Sequence, residues 1–261
     1  MKKIAPLLVL NIVLIFASCS KNNDNQSNLN PPSNSIKKIS ETKYTNGTVD
    51  SFSSDFNYEN GVLKSITDAT QKLELFYNGT KISNTTLYTN NVVSVTYSLS
   101  YNGDLLESMT NTTDNYERTF YSYTNGILMS EKNQSLINTN WQTVTTHNYE
   151  FSIGNISTQY EMTADPFNYN IISKSTYDYD TKLNPMNYMN PALRYIIGLE
   201  SCNFRNLNNE INEYTYSSST STTPILNFTY QINYNSQNLP IIIKKYTSNN
   251  ILVSEATFEY Y

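Results

Sequence analysis

Short segments in which Tyr or Thr precedes an Asn-Gly pair recur along this chain, and they constrain its fold more than any other feature. Three of them are Tyr77-Asn78-Gly79, Tyr101-Asn102-Gly103 and Thr124-Asn125-Gly126. An Asn-Gly pair readily places two successive residues at positive φ, as a type I′ turn requires, and this turn matches the twist of two paired strands. Each segment is therefore predicted to form the tip of a β-hairpin.

Aromatic and aliphatic residues alternate with polar residues between these tips. The alternation is clearest at Phe56 and Tyr58, Leu99 and Tyr101, Tyr121 and Tyr123, Tyr149 and Phe151, Tyr177 and Tyr179, Phe228 and Tyr230, and Phe258 and Tyr260. A period of two that is bounded by Asn and Gly indicates β-strands. Few stretches show a helical period, so the fold class is predicted to be all-β.

The predicted hairpins repeat one unit. The glycines of five tips, at positions 61, 79, 103, 126 and 154, follow one another at intervals of 18, 24, 23 and 28 residues. The segment Asn60-Gly-Val-Leu-Lys-Ser65 recurs as Asn125-Gly-Ile-Leu-Met-Ser130. Repetition at a period of roughly 20 to 30 residues indicates supersecondary units that stack on one another.

The repeated frame Tyr-x-Tyr-x-Asn-Gly-x-Leu-x-Ser resembles the tyrosine–aspartate (YD) repeats of RHS-type bacterial surface proteins. The segment YNSQNLPIII, residues 234–243, is similar to a unit of Bacteroidota lipoproteins of unknown function that carry such repeats. The resemblance covers roughly residues 44–161 and 228–261, with Asn often in place of the family's Asp. It implies an antiparallel β-meander of repeated hairpins that forms an open twisted sheet or part-barrel; a compact two-sheet sandwich is the alternative.

The N-terminal residues differ in composition from the rest of the chain. Lys2 and Lys3 precede an apolar run that ends at Phe16 and is followed by small residues, as in a secretory signal peptide. The segment Phe16-Ala17-Ser18-Cys19 resembles the bacterial lipobox. The resemblance implies that residues 1–18 are a lipoprotein signal peptide and that Cys19 becomes the acylated first residue of the mature chain.

Residues 19–35 are predicted to comprise the acylated Cys19 and a disordered tether, since KNNDNQSNLNPPSNS is polar and lacks aromatic residues. Ser20 after the cysteine resembles the pattern of lipoproteins that are passed to the outer membrane. Similar tethers occur in lipoproteins displayed on the cell surface. We therefore expect a lipid-anchored outer-membrane protein, on either face of that membrane, with residues 36–261 forming a single β-repeat domain.

Charge and cysteine content narrow the classes of function. The chain is mildly acidic, with a formal net charge of −5 at pH 7 and no basic patch, which argues against nucleic acid as a partner. The second cysteine, Cys202, is expected to be a small buried apolar residue. No cofactor is expected, and the expected partners are the membrane, through the lipid on Cys19, and a glycan or a protein.

Residues 165–212 interrupt the repeat. Within them, Asn190-Pro191-Ala-Leu-Arg-Tyr-Ile-Ile-Gly198 predicts a short helix, with Asn190 as the N-cap, Pro191 as the first helical residue and Gly198 as the stop. The interruption is interpreted as a plug that covers an open end of the sheet. The alternative is a ligand-binding insertion, since long insertions often carry function.

No catalytic constellation stands out in the sequence. His147 is the only histidine, and it is interpreted as a strand residue that faces solvent or a neighbouring hydroxyl. Asp178, Asp180 and Asn184 have the spacing of oxygen ligands in a calcium loop, but Lys182 occupies a ligand position and the required Gly and Glu are missing, which favours a turn. Six glutamates on the strands are interpreted as mostly solvent-facing: Glu74, Glu107, Glu117, Glu131, Glu150 and Glu161.

The 23 tyrosines are the one positive chemical feature. Tyrosine suits stacking on sugar rings and contacts with proteins, but a repeat protein poor in Leu must also use it as core, which is the favoured interpretation for any one tyrosine. The sequence predicts a non-enzymatic, lipid-anchored envelope or surface protein with a binding or structural role. The alternatives are a secreted carbohydrate-active hydrolase that uses two strand carboxylates and a glycan-binding accessory protein of an outer-membrane uptake complex.

Overall fold

The structure is a computed structural model of the chain. It describes residues 31, 33–45, 47–165, 168–188, 190–197, 199, 203 and 205–261. The predicted signal peptide, Cys19 and most of the predicted tether lie outside the described residues, as do Gly198 and Cys202. The expectations that concern them stay predictions.

In the part of the chain that the structure describes, sixteen antiparallel strands form a closed barrel, and each strand pairs with its neighbours in sequence. The strands are β1 (Ile36–Thr45), β2 (Thr48–Glu59), β3 (Val62–Thr67), β4 (Gln71–Asn78), β5 (Lys81–Thr89), β6 (Val92–Asn102), β7 (Leu105–Asn111), β8 (Glu117–Thr124), β9 (Ile127–Ile137), β10 (Asn140–Ser152), β11 (Asn155–Asp165), β12 (Asn168–Leu183), β13 (Asn208–Thr215), β14 (Ile225–Tyr234), β15 (Pro240–Thr247) and β16 (Leu252–Tyr260). The first and last strands close the ring through pairs such as Ile39 with Phe258 and Glu41 with Ala256.

This closure confirms the all-β antiparallel meander and corrects the expectation of an open twisted sheet or part-barrel; the two-sheet sandwich is also wrong. Closure is favourable because it pairs the backbone groups of β1 and β16, which would otherwise be two unpaired edges. The repeats specify the pairing of each strand with the next. They do not specify how many strands complete a ring.

The hairpin tips are of two kinds. At Asn60-Gly61 and Asn125-Gly126 both residues have positive φ in a two-residue loop, as predicted for type I′ turns. At the second and third tips Asn78 pairs with Lys81 and Asn102 pairs with Leu105, so each loop consists of the glycine and its successor, and only Gly79 and Gly103 have positive φ, at 62° and 60°. Positive φ at the first loop residue alone is the pattern of a type II′ turn, so the type I′ prediction is wrong at these two tips.

A tyrosine near most of these tips points into the barrel and follows a β-bulge. Its hydroxyl donates a hydrogen bond to a backbone carbonyl of the preceding strand, and we call the five tyrosines of the barrel that do so the tyrosine ladder. They are Tyr58, Tyr77, Tyr101, Tyr179 and Tyr260, whose hydroxyls lie 3.1, 2.9, 2.8, 2.7 and 2.6 Å from the carbonyl oxygens of Ile36, Leu63, Ile82, Ile156 and Pro240. Most of these rings pack against the apolar core, in line with the interpretation of the tyrosines as core residues.

The interruption of the repeat is shorter than the expected 165–212, because β12 and β13 occupy both of its ends. Between these strands the chain forms two 3₁₀ turns, Pro185–Tyr188 and Pro191–Tyr195, where a helix was predicted. Asn190 caps the second turn as predicted, since its side chain accepts a hydrogen bond from the amide of Ala192 at 3.0 Å. Segments this short cannot sustain an α-helix by themselves, so packing against the barrel decides their geometry.

The described residues between Asn184 and Leu207, which we call the plug, fill one end of the barrel. Met186, Leu193, Ile196 and Ile197 are at most 5 % exposed and join the hydrophobic core. We call this the plugged end; the hairpin tips with glycines at 61, 79, 103, 126 and 154 surround it. The opposite end, where turns such as 90–91 and 138–139 lie, is called the open end.

Candidate functional site

The outer face of the barrel wall is rich in hydroxyl and charged groups. Side chains alternate between the two faces along each strand, so every strand contributes to both. On the outer face, the hydroxyls of Ser40 and Ser53 lie 2.7 Å apart across two strands, and Lys244 forms an ion pair with Glu255 at 2.9 Å. The outer wall therefore offers hydrogen-bonding groups to its surroundings.

The inner face changes character from one end of the barrel to the other. Near the plugged end, Leu63, Ile82, Leu106 and Ile156 point inward and are 0–2 % exposed. Toward the open end the inward side chains are mostly polar. Those of Glu117, Asn133, Ser135, Thr145, Thr163, Ser173 and Thr215 are half-buried, whereas those of Glu41, Thr85, Asn111 and Ser254 are at most 5 % exposed. The half-buried side chains point into the ring, so solvent reaches them through the lumen. This side of the open half of the lumen is therefore polar and accessible to solvent, and the interior of a barrel is a common place for ligands.

Glu131, His147 and Glu161 form an inward row across three neighbouring strands. His147 on β10 pairs with Glu131 on β9 and with Glu161 on β11, and opposed residues on one face have Cβ atoms about 5 Å apart. The imidazole stacks on Tyr149 with ring centroids 6.4 Å apart, and its Nδ1 lies 3.4 Å from Nε2 of Gln159. The interpretation of His147 as facing bulk solvent or a hydroxyl is thus corrected: it lies inside the barrel between two carboxylates.

Burial lowers the pKa of His147 below its usual value, although the carboxylates of Glu131 and Glu161 oppose this effect. The imidazole is therefore neutral at neutral pH, and it offers one donor and one acceptor inside the lumen. Among the described residues, no group of three or more His, Cys, Asp and Glu side chains is arranged to hold a metal ion.

Arg205 joins the plug to this row. Its guanidinium donates hydrogen bonds of 2.5 Å to the hydroxyl of Tyr149 and to a carboxylate oxygen of Glu131. The side chains of Arg205 and Glu131 are only 22 % and 12 % exposed. Burial is the largest single effect and works against the charge on Arg205, but Glu131 together with Tyr149, Tyr121 and Tyr195 outweighs it and raises the pKa of the guanidinium. We call Arg205, Glu131 and Tyr149 the latch, because they tie the plug to β9 and β10.

A second set of charged side chains faces the lumen from β13 and β15. Glu213 accepts a hydrogen bond from the hydroxyl of Tyr230 at 3.2 Å and lies 4.0 Å from Nζ of Lys245. Glu210 accepts a hydrogen bond from the side chain of Asn206, in the plug, at 2.9 Å. Burial, and then the charge of Glu213, raise the pKa of Glu210 to about 8. Glu210 is therefore mostly protonated at neutral pH, and it is only 8 % exposed and borders the plug.

The six glutamates singled out in the sequence divide between the two faces. Glu74, Glu107 and Glu150 are on the outer face or exposed, as interpreted, whereas Glu117, Glu131 and Glu161 point inward. A β-bulge inserts one residue and flips the side chains that follow, so the face of a strand residue depends on bulges that the sequence pattern does not reveal.

The segment that resembles a calcium loop is part of strand β12. Asp178 faces outward and accepts hydrogen bonds from the side chains of Asn212 and Tyr214 at 3.0 and 2.8 Å. Asp180 accepts hydrogen bonds from the backbone amides of Lys182 and Asn209 at 2.9 and 3.2 Å. Protein donors therefore occupy these carboxylates. The expectation of a turn is also wrong, because β12 continues to Leu183.

Sequence reasoning did not single out Arg205, Glu210 or Lys245. A signal for the arginine was available, since the chain contains only three arginines and two of them, Arg194 and Arg205, lie in the irregular segment. Arginine is rare in this chain, and charged residues are seldom buried unless they are paired. An arginine in the irregular segment is therefore a candidate for a buried ion pair.

No protein-family model matches the sequence, and no curated protein matches it. A crystal structure of a porin-like protein from Bacteroides uniformis superposes with a TM-score of 0.56 at 10 % identity, covering 89 % of this chain and 100 % of that one. A porin-like protein from Bacteroides vulgatus gives a TM-score of 0.49 at 11 % identity, covering 87 % of this chain and 98 % of that one. The Tc holotoxin pore of Photorhabdus luminescens gives 0.32 at 15 % identity, covering 78 % of this chain and 9 % of that one.

The first of these comparisons shows that the barrel fold is shared with a Bacteroides protein, and at 10 % identity it shows the fold alone. The two lower TM-scores support no argument. Within the described residues, no helix is both long enough and apolar enough to cross a membrane.

Proposed function

We propose that this chain is a non-enzymatic, lipid-anchored envelope protein whose barrel lies outside the hydrocarbon layer and binds a ligand in the open half of its lumen. The observation that carries the proposal is the distribution of polar groups, which cover the outer wall and line the lumen toward one end. A barrel that crosses a bilayer has the opposite outer wall, an apolar band between two girdles of aromatic residues.

The position of the first strand supports an anchor at the plugged end. β1 begins there at Ile36, and the amide of Tyr261 donates a hydrogen bond of 3.0 Å to the carbonyl of Ser35. The residues between Cys19 and Ile36 span at most about 60 Å when extended. An acyl chain on Cys19 would thus hold the plugged end nearer the outer membrane and leave the open end accessible.

The chemistry of the lumen favours a glycan as the ligand. Its side chains combine carboxylates and hydroxyls with the cation of Lys245, and the rings of Phe52 and Phe228 are half-buried at the open end. Sugar hydroxyls need both donors and acceptors, and their C–H faces pack on aromatic rings. This mixture therefore supports glycan capture, alone or as the accessory protein of an uptake complex.

Anchoring is tested by producing the full chain in a Gram-negative host with labelled palmitate. The wild type should carry the label and sediment with membranes, whereas Cys19→Ala should be unlabelled and remain in solution without detergent. Cys202→Ala is the control and should keep the label. Ion conductance of the purified protein in a planar bilayer would contradict a barrel that lies outside the hydrocarbon layer.

Ligand binding is tested on a glycan array with the Cys19→Ala protein. Glu161→Gln, inside the lumen, should weaken binding of any captured glycan, and Glu255→Gln on the outer wall should leave it unchanged. Equal effects of the two variants would place the site elsewhere. Hydrolysis of the captured glycan at an enzymatic rate would support the hydrolase instead.

A further inference from the structure

On strands β8, β9 and β10, the outer wall carries a guanidinium group that lies against two aromatic rings. The carbon Cζ of Arg118 is 4.0 Å from the ring centroid of Trp141 and 5.0 Å from that of Phe120. Arg118 pairs with Gln134 on the next strand, and Phe120 pairs with the exposed Lys132. These side chains alternate with the inward-facing ones of the same strands. We call Arg118, Phe120, Lys132, Gln134 and Trp141 the outer patch.

The guanidinium of Arg118 is held in one orientation by its neighbours. Its Nε–H donates a hydrogen bond of 2.8 Å to Oε1 of Gln134. The same amide is fixed from its other side, because its Nε2 donates to the hydroxyl of Thr143 at 3.4 Å. Stacking on the rings adds a cation–π attraction to this hydrogen bond. A group that is already ordered loses little freedom when a ligand binds.

The charge and most of the donors of this guanidinium remain available. Among the described residues, Gln134 accepts the one hydrogen bond from Arg118, so both Nη groups keep their N–H donors for a ligand. Within the same part of the chain, no carboxylate oxygen lies within 4.0 Å of Arg118 or Lys132. Elsewhere on the outer wall, Lys244 has such a partner in Glu255 at 2.9 Å. In a chain with a net charge of −5, the outer patch is thus a local site of positive charge.

We propose that the outer patch binds a uronic acid residue of an acidic glycan, with the sugar carboxylate on the two Nη groups of Arg118. A guanidinium matches a carboxylate with two parallel hydrogen bonds. The apolar C–H face of the sugar packs on the half-buried rings of Trp141 and Phe120. A peptide carboxylate lies on a flexible chain and offers no flat apolar face to these rings, which favours the sugar. This site is separate from the lumen and does not rest on the proposed function.

The fluorescence of Trp141 reports on the outer patch, because this residue is the only tryptophan in the chain. The full chain in detergent is titrated with trigalacturonate and with its methyl ester, which has the same rings and no charge. Trigalacturonate should change the emission until saturation, and the ester should bind about tenfold more weakly or less.

Variants of two outer-wall cations test the role of the guanidinium. Arg118→Gln should weaken the binding of trigalacturonate about tenfold or more, since charged hydrogen bonds are lost. Lys174→Gln is the matched control and should bind as the wild type does. Lys174 also lies over an aromatic ring of the outer wall, with its Nζ 4.2 Å from the ring centroid of Tyr216.

A second pair of variants leaves Arg118 and the rings intact. Lys132 lies two residues from Gln134 on the same strand, opposite Phe120. Lys132→Glu should weaken the binding of trigalacturonate by repulsion, and should do so more than Lys132→Gln. The proposal would be overturned by an emission that does not respond to trigalacturonate, by equal affinity for the acid and its ester, or by equal effects of the two Lys132 variants.

Two further titrations identify the class of ligand and the place of binding. A triglutamate peptide carries carboxylates without sugar rings and should bind more weakly than trigalacturonate; equal or tighter binding of the peptide would overturn the assignment to a sugar. Glu161→Gln, in the lumen, should leave the titration with trigalacturonate unchanged, so a failure of the lumen site does not affect this test. Loss of trigalacturonate binding in Glu161→Gln would overturn the outer site.

Discussion

The hydroxyl of Tyr77 donates a hydrogen bond of 2.9 Å to the carbonyl oxygen of Leu63 on the preceding hairpin. Leu63 pairs across its own hairpin with Tyr58, the previous tyrosine of the ladder. Each hydrogen bond of the tyrosine ladder therefore joins a strand, next to its bulge, to the strand before it in the chain. Burial raises the pKa of Tyr77 above its usual value, so the hydroxyl stays protonated and able to donate.

Removing one hydrogen bond of the tyrosine ladder should lower the free energy of unfolding more than removing a similar hydrogen bond on the outer wall. Tyr77→Phe leaves the carbonyl of Leu63 without this donor in an apolar layer, and should lower the free energy of unfolding by about 1–3 kcal/mol. Tyr88→Phe is the matched control, since the hydroxyl of Tyr88 lies 3.0 Å from Glu74 on the outer wall. Urea unfolding measures both; equal losses would contradict a structural role for the ladder.

The latch should hold the plug in place. Arg205→Met leaves the carboxylate of Glu131 largely buried without its partner, which should cost about 3 kcal/mol. Limited proteolysis should then cut within residues 184–207, while the wild type resists. Adding Glu131→Gln to Arg205→Met should recover part of the lost stability, because the carboxylate that has lost its partner is replaced by a neutral amide. If the effects of the two single variants simply add, Arg205 and Glu131 are not a coupled pair.

Glu210 should make the barrel less stable as the pH rises. The pKa of Glu210 in the folded protein, about 8, lies above the ordinary value of 4.5, so the folded state binds the proton more tightly. The stability that this adds is complete below about pH 4.5 and is lost as the pH rises through 8; it amounts to at most about 5 kcal/mol. Glu210→Gln should flatten the fall in stability between pH 5 and 8, measured by urea unfolding. Glu259→Gln, at an exposed ion pair with Lys37, should not flatten it.

At the hairpin tip of Gly103 and Asp104, substitution of the first loop residue should lower stability more than substitution of the second. Gly103 has φ of 60°, and a Cβ built there meets nothing within 4 Å, so Gly103→Ala should cost the strain of the left-handed region alone, about 1–2 kcal/mol. Asp104→Ala should cost less than about 1 kcal/mol, because its ion pair with Lys81 is highly exposed. Equal effects on the midpoint of thermal unfolding would contradict the type II′ assignment.

The local parts of this fold could be predicted from the sequence, and the long-range parts could not. Alternation and the Asn-Gly pairs predict hairpins at positions 60 and 125, because both depend on neighbouring residues. The pairing of Ile39 with Phe258 and the reach of Arg205 to Glu131 join residues that no local pattern connects. His147 and Glu161 were assigned to the wrong surroundings for the same reason, since the face of a strand residue depends on bulges and on closure.

The pairing of β1 with β16 joins residues as far apart as Lys37 and Glu259, which are 222 positions apart in the chain. Every other strand pair joins consecutive strands, so hairpins can form as the polypeptide emerges, but the ring cannot close until its final strand is available. Until then both outer edges can pair with other chains. Loss of the last ten residues would therefore leave a particle that is prone to assemble with its own copies.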